Sequence, residues 1–287
     1  MADTRDVVQV DMLRTDARQV TPATDRVAVE APLEVRLHGE PFSVIMRTPG
    51  ADHDLAVGFL FTEGVVRGAC DVASVEDSVE DSVEDSDAGS AGIGHASHIV
   101  NVTLSPERAA IVPDLLGQRR QVTMNSSCGM CGRRNLASLD VDGPPLASRW
   151  TVTAETILRL PDRLREAQSA FAETGGLHAA GLFDSVGRLE LSAEDVGRHN
   201  AVDKLLGRLL MAGRLPLENL LLCVSGWSSF EIVQKAFLGG VPLIASVSAP
   251  SSLAIDLAHR AGITLLGFVR GDRFNLYTHP ERVRATP

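Results

Sequence analysis

From Leu220 to Val269 the sequence runs LLLCVSGWSSFEIVQKAFLGGVPLIASVSAPSSLAIDLAHRAGITLLGFV. Three short apolar runs, Leu220 to Val224, Leu243 to Val247 and Ile263 to Val269, alternate with Ser229 to Leu238 and Ser251 to Ala261, which carry apolar residues at helical spacing. Short, uninterrupted apolar runs bounded by small and polar residues suit strands buried on both faces, and the intervening stretches are long enough for crossover helices. Glu155 to Phe171 and His199 to Met211 add two more candidate helices upstream. This order predicts an α/β unit with a mainly parallel sheet covered by helices, and ligands in such sheets sit beyond the carboxyl ends of the strands.

Upstream, Arg26 to Arg47 alternates polar and apolar residues (Val27, Val29, then Leu33, Val35, Leu37, then Val44, Met46) around the turn His38-Gly39-Glu40-Pro41, which predicts an antiparallel hairpin. Asp52 or Asp54 is placed to cap a helix that buries Leu55, Phe59 and Leu60 before Gly64. Ile99 to Leu104 reads as a further strand. Residues 1–25 are polar and unpatterned and predict a flexible N-terminus. Residues 74–98 begin with a repeated Ser-Val-Glu-Asp and continue in Gly, Ser and His, a composition expected to stay disordered. The resulting division is 1–25, an α+β portion over 26–118 that contains the acidic insertion, and an α/β domain over 119–287 that carries a cysteine loop at 125–134.

The chain has 287 residues, 44% apolar and 22% charged, an ordinary globular composition. No stretch approaches the ~20 apolar residues of a membrane span and no leader pattern opens the sequence, so a soluble, cytoplasmic protein is expected. The net charge of −10 is mostly local. Residues 74–87 hold seven of the 37 acids and no base, and without them 30 acids face 27 bases, or −3. That balance gives no reason to expect nucleic acid as a partner.

Four cysteines are too few for a disulfide framework in a chain of this length. Cys128 and Cys131 stand in Asn125-Ser126-Ser127-Cys128-Gly129-Met130-Cys131-Gly132-Arg133-Arg134, a stretch without apolar periodicity and with two arginines behind the thiols. Neighbouring cations favour the thiolate, the form that attacks sulfur, accepts it as a persulfide or binds metal. A thioredoxin-like pair would open a helix directly after a buried strand, and a structural zinc site would need a second ligand pair, which the chain lacks. Sulfur carriage or redox exchange fits these residues best, whereas Cys223 in its apolar run reads as a small hydrophobe and Cys70 adjoins the acidic repeat.

Other turns offer polar groups. Gly175-Gly176-Leu177-His178-Ala179-Ala180 resembles half of a zinc deaminase signature, but Ala180 stands where the proton-shuttling glutamate would be, so His178 reads either as a cleft residue or as a structural one. Glu194-Asp195-Val196-Gly197-Arg198-His199-Asn200 opens a helix whose apolar side carries Val202, Leu205, Leu206 and Leu209, with Asp203 and Lys204 pointing elsewhere, and Arg198 with His199 could hold an anion. Ser225 to Ser229 and Ser246 to Ser252 follow strands and open helices, which suits either phosphate binding or ordinary N-capping. Phe268-Val269-Arg270-Gly271-Asp272-Arg273 leaves the last strand with two arginines.

Taken in order, C-G-M-C-G, T-G-G-L-H-A-A, E-D-V-G-R-H-N-A-V-D-K-L-L-G, S-F-E-I-V-Q-K-A, S-A-P-S-S-L-A and G-F-V-R-G-D-R-F-N-L-Y-T-H-P resemble the FdhD family of formate dehydrogenase accessory sulfurtransferases, over about Arg26 to Arg282. The resemblance implies a cytidine-deaminase-like three-layer domain and a homodimer. It implies sulfur transfer, as a persulfide, from a cysteine desulfurase to the molybdenum bis(guanine dinucleotide) cofactor, bound as substrate with no permanent metal, and formate dehydrogenase as the client. By position Cys128 matches the persulfide cysteine, Cys131 its partner, and Phe268, Val269, Arg270, Gly271, Asp272 and Arg273 the stretch that binds the guanine dinucleotide. Two features depart from the family pattern: the insertion at 74–98, and Trp227 where arginine is expected, an indole that could stack on a pterin or guanine ring or pack on its neighbours. The rival functions are a non-catalytic cofactor-binding chaperone and a dithiol redox protein.

Overall fold

In a computed structural model that describes residues 6–80, 97–112 and 143–285, the three apolar runs are adjacent strands: β10 (Leu221–Val224), β11 (Leu243–Ser246) and β12 (Thr264–Arg270). They lie in a six-stranded sheet of order β13-β12-β11-β10-β8-β9, with β8 at His178–Phe183, β9 at Leu189–Asp195 and β13 at Arg273–Thr278. Only β10–β11 and β11–β12 are parallel; β8–β9, β8–β10 and β12–β13 are antiparallel. The sheet is therefore mixed rather than mainly parallel, because β8, β9 and β13 join through tight turns instead of crossover helices.

Successive residues of these strands serve opposite faces. Leu221, Cys223, Leu243, Ala245 and Leu266 pack with Ile157, Leu160 and Leu164 of α3 (Ala154–Glu166), whereas Leu222, Val224, Ile244 and Leu265 pack with α5 (Arg198–Met211), α6 (Phe230–Leu238) and α7 (Ser252–Ala261). Three layers result, and each fully buried Leu or Ile contributes about 1.5–3 kcal/mol of transfer free energy. The predicted helix over Glu155 to Phe171 is two, α3 and α4 (Ser169–Thr174), separated at Ala167 and Gln168. Glu194 of β9 makes the break, since its carboxylate accepts the N–H groups of Ala170 (3.1 Å) and Phe171 (2.8 Å) and caps the second helix from outside.

The helix-bearing face continues into the N-terminal portion. The hairpin is present as β3 (Ala31–Leu37) and β4 (Glu40–Arg47), turning through His38 and Gly39, both at positive φ. It forms a four-stranded sheet, β4-β3-β6-β5, with β5 at Val72–Glu80 and β6 at Ser97–Leu104. Between the sheets lies α1 (Asp52–Thr62), which buries Leu55, Phe59 and Leu60. No aspartate caps it: Ala51 is the N-cap residue, and Asp52 is instead paired with the buried Arg47 at 2.8 Å. Helices α1 and α5 meet backbone to backbone. A Cβ on Gly58 would stand 1.9 Å from the Asp203 carbonyl oxygen, and one on Gly207 would stand 1.9 Å from that of Asp54. Only glycine fits either position.

Two segments expected to be disordered are strands where they are described. Within residues 1–25, Val7–Thr15 (β1) pairs antiparallel with Val20–Ala28 (β2), and Asp16 closes the turn by accepting the N–H groups of Arg18 and Gln19. Its sequence shows little alternation because the ribbon is exposed along most of its length, touching α4 on one side, where Arg26 meets Glu173 at 2.6 Å. In the acidic insertion, residues 74–80 belong to β5 and 97–98 to β6; Val75 lies against the core and opposite Val102, and the Asp77 side chain meets His53 at 2.7 Å. Cross-strand hydrogen bonds and the inward Val75 order a segment whose composition alone predicts solvation. Residues 81–96 lie outside the described residues. Among the described residues no helix is long and apolar enough to cross a membrane.

Candidate active site

The parallel strands β10, β11 and β12 end on one side of the sheet, and β8, running the opposite way, begins there. A cleft of about 610 Å³ opens at that edge. Its wall includes His178 from β8, Ser225 after β10, Val247 after β11, and Val269, Arg270 and Gly271 at the end of β12. The opposite wall is Leu164, Arg165, Gln168 and Phe171, from the end of α3 and the start of α4. The sheet geometry thus converges residues from four separate turns, as an open α/β sheet does for its ligand.

Of the stretch Phe268 to Arg273, the structure brings Val269, Arg270 and Gly271 to the cleft. Phe268, in the left-handed region (φ 55°) at an irregularity in the β12–β13 ladder, lies with its ring 5.5 Å from the Arg270 guanidinium, and Asp272 and Arg273 sit exposed at the hairpin tip and the start of β13. Cys128 and Cys131, with Arg133 and Arg134, lie outside the described residues. Cys223 is wholly buried, and desolvation pushes its thiol up to about 12, so it cannot serve as a thiolate. Cys70 is exposed, in a short turn ahead of β5.

The serine turns are occupied by the fold itself. Ser225 Oγ accepts from the Ala179 N–H at 2.9 Å, Ser229 and Ser251 cap α6 and α7, and Ser246 Oγ donates to the carbonyl of Ser248 at 2.8 Å. Capping and local hydrogen bonds account for these four hydroxyls without phosphate, while Ser228 Oγ is buried with no hydrogen-bond partner among the described residues. Trp227 is 38% exposed and stacks with Arg198, whose guanidinium carbon is 4.8 Å from the ring centre. His178 is half-buried, and burial together with the Arg198 charge lowers its pKa, so the cleft receives a neutral imidazole.

Behind the cleft, His199 at the start of α5 is turned into the fold and carries no charge for an anion. His199 is buried, 3.2 Å from Ser229 Oγ and 3.3 Å from the Glu231 carboxylate, and desolvation with Lys235 and Arg198 nearby drives its pKa down to about 2. Asp203 and Lys204, expected to point away from the core, are buried too. Lys235 holds Asp203 at 2.8 and 2.9 Å and donates to Thr62 at 2.8 Å, while Lys204 holds Asp195 at 2.8 Å and the carbonyls of Thr48 and Glu194. Glu231 completes the group, its carboxyl raised to about 7 by burial.

Sequence reasoning missed Arg165, Gln168 and Phe171. They lie where one continuous helix was expected, and no glycine or proline marks the break; a carboxylate 26 residues further along the chain from Gln168, that of Glu194, makes it.

Comparison with known proteins agrees along nearly the whole chain. The chain is 44% identical over 273 residues to the sulfur carrier protein FdhD of Streptomyces avermitilis, covering 92% of this chain and 91% of that one. It is 43% identical to the protein of that name from Sulfurisphaera tokodaii, covering 96% and 98%. A crystal structure from Desulfotalea psychrophila, of a protein assigned as a formate dehydrogenase accessory protein, shares the fold with a TM-score of 0.73 at 23% identity over 97% of this chain and 100% of that one. With the FdhD/NarQ family model matching residues 28–284 as well, the chain belongs to the FdhD/NarQ family.

Proposed function

We propose that this protein is a cytoplasmic sulfurtransferase that receives sulfur from a cysteine desulfurase and delivers it to the molybdenum bis(guanine dinucleotide) cofactor needed by formate dehydrogenase. The observation that carries this is the identity of 43–44% to sulfur carrier proteins over more than nine-tenths of the chain. Cys128 thiolate attacks the outer sulfur of the donor's persulfide; a bond forms from its Sγ to that sulfur, the donor's S–S bond breaks, and the donor leaves as thiolate. Attack by Cys131 on Cys128 Sγ then expels hydrosulfide for the metal and leaves a disulfide, which a dithiol reductant resets. Arg133 and Arg134 favour both thiolates. Gly271, which has no side chain, and Arg270 suit the diphosphate of the substrate at the rim of the cleft. We take the six-stranded unit over 119–287 to be cytidine-deaminase-like and the working form to be a homodimer.

Incubation with a cysteine desulfurase and cysteine tests the reading. One sulfur atom should be gained at Cys128, seen by intact mass and by peptide mapping after alkylation, and Cys128→Ser should lose both the label and activation of the dehydrogenase. A Cys128→Ser protein that activates at the wild-type rate would sink the persulfide route.

A further inference from the structure

We infer that the carboxamide of Gln168 reads the ring carbonyl of the substrate's 2-amino-oxo-pyrimidine ring, the element that guanine and pterin share, at the inner end of the cleft. The inference rests on the cofactor-binding reading above and adds to it the residue that discriminates the ring.

Gln168 is 5% exposed and lines the cleft. Its backbone is fixed at the α3–α4 junction, the N–H donating to the Arg165 carbonyl at 3.1 Å and the carbonyl accepting from the Ala172 N–H at 3.0 Å. Its side-chain Nε2 is buried with no acceptor in reach among the described residues. A buried amide donor is almost always satisfied in a folded protein, so one left open on the wall of a cleft marks where a ligand acceptor belongs. The same wall carries Leu164, Leu177 and Val269, with one acid, Asp162, and with the Arg165 guanidinium 3.8 Å from the Phe171 ring centre. That flat pair beside the amide suits a planar heterocycle, which stacks on guanidinium and aromatic planes.

The chemistry separates rings. A carbonyl oxygen on the ring accepts from Nε2, whereas adenine presents an amine at the same place and sets donor against donor. Leaving a buried donor unpaired is the larger part of such discrimination. Arg270 and Gly271, on the wall of the same cleft, would then take the phosphates, so that ring and phosphate contacts come from different elements.

Calorimetric titration of the full chain with GDP, ADP and 6-hydroxymethylpterin tests this on wild type, Gln168→Leu and the near-isosteric Gln168→Glu. Wild type should bind GDP at least about tenfold more tightly than ADP. Gln168→Leu should lose about tenfold for GDP and leave ADP within about threefold, and Gln168→Glu, whose carboxylate accepts, should shift the preference toward ADP. Loss of pterin affinity with GDP unchanged would keep the ring chemistry and place the pterin at Gln168. Wild-type affinities for all three ligands in both variants would overturn the inference while leaving the cofactor reading intact. A wild type that binds none of the three would defeat both.

Discussion

Two polar regions lie side by side at the end of the strands, and they differ in whether the central side chains are matched, the two buried aspartates fully and the cleft's Gln168 only in part. Around the start of α5, Asp195 accepts from Lys204, the backbone of Thr48 and Gly197, and Asn200, and Asp203 accepts from Lys235 and Thr62. In the cleft, Gln168 keeps an unused buried donor, and Arg270 stands exposed at the rim. The first arrangement spends its charges on joining α1, α5 and α6, while the second holds groups in place for something outside the chain. Buried charge by itself does not mark function here, and an unmet hydrogen bond points to a ligand only where it lies on a cleft, as at Gln168 and not at Ser228 or Glu231.

The sharpest way to break the comparison is Lys235→Ala. It strands the Asp203 carboxylate, 2% exposed, and should cost about 3–5 kcal/mol in urea unfolding. Replacing both members by apolar residues of similar volume should recover most of that loss. Little loss in the single variant would show that the pair does not hold the helices.

Glu231 sharpens the contrast from within the paired region. Facing it are Lys235, Asp203, Glu63 and His199, and burial raises its carboxyl from 4.5 to about 7. Between those values the folded chain keeps a proton that the unfolded chain has released. The associated stability is thus fully present below about pH 4.5 and is lost as pH rises through about 7. Glu231→Gln should remove this dependence, so its stability relative to wild type should grow by on the order of 2–3 kcal/mol from pH 5 to pH 8. Parallel stability curves for the two proteins would refute the assignment.

The smallest effect on folding is expected at the cleft. Arg270→Ala should change stability by less than about 0.5 kcal/mol yet weaken GDP binding by roughly tenfold at moderate salt. A drop in melting temperature comparable to that of Lys235→Ala would place Arg270 with the structural region instead.

The sequence carries the α/β alternation openly, because strands buried on both faces, such as Leu221–Val224 and Leu243–Ser246, leave uninterrupted apolar runs. It conceals strands whose order comes from pairing: Val7–Thr15 has few inward residues, and Val75 works only once Val102 lies opposite. The same division holds for the site. The turns with Ser225 and Arg270 could be placed beyond the strand ends from periodicity alone, whereas His178 heads β8, a strand the periodicity does not show, and Gln168 and Phe171 depend on Glu194 reaching across to end one helix and start another. Neither burial of Asp203 and Lys204 nor neutrality of His199 can be read locally: Asp203 is matched by Thr62 and Lys235, Lys204 by Asp195 and the Thr48 carbonyl, and His199 is held neutral by burial and by Lys235.

The seam of Gly58 and Gly207 has a mechanical consequence. A methyl group on either glycine would strike main chain, which cannot swing aside as a side-chain tip can, so alanine at either position would have to drive α1 and α5 apart and loosen the join between the N-terminal sheet and the six-stranded one.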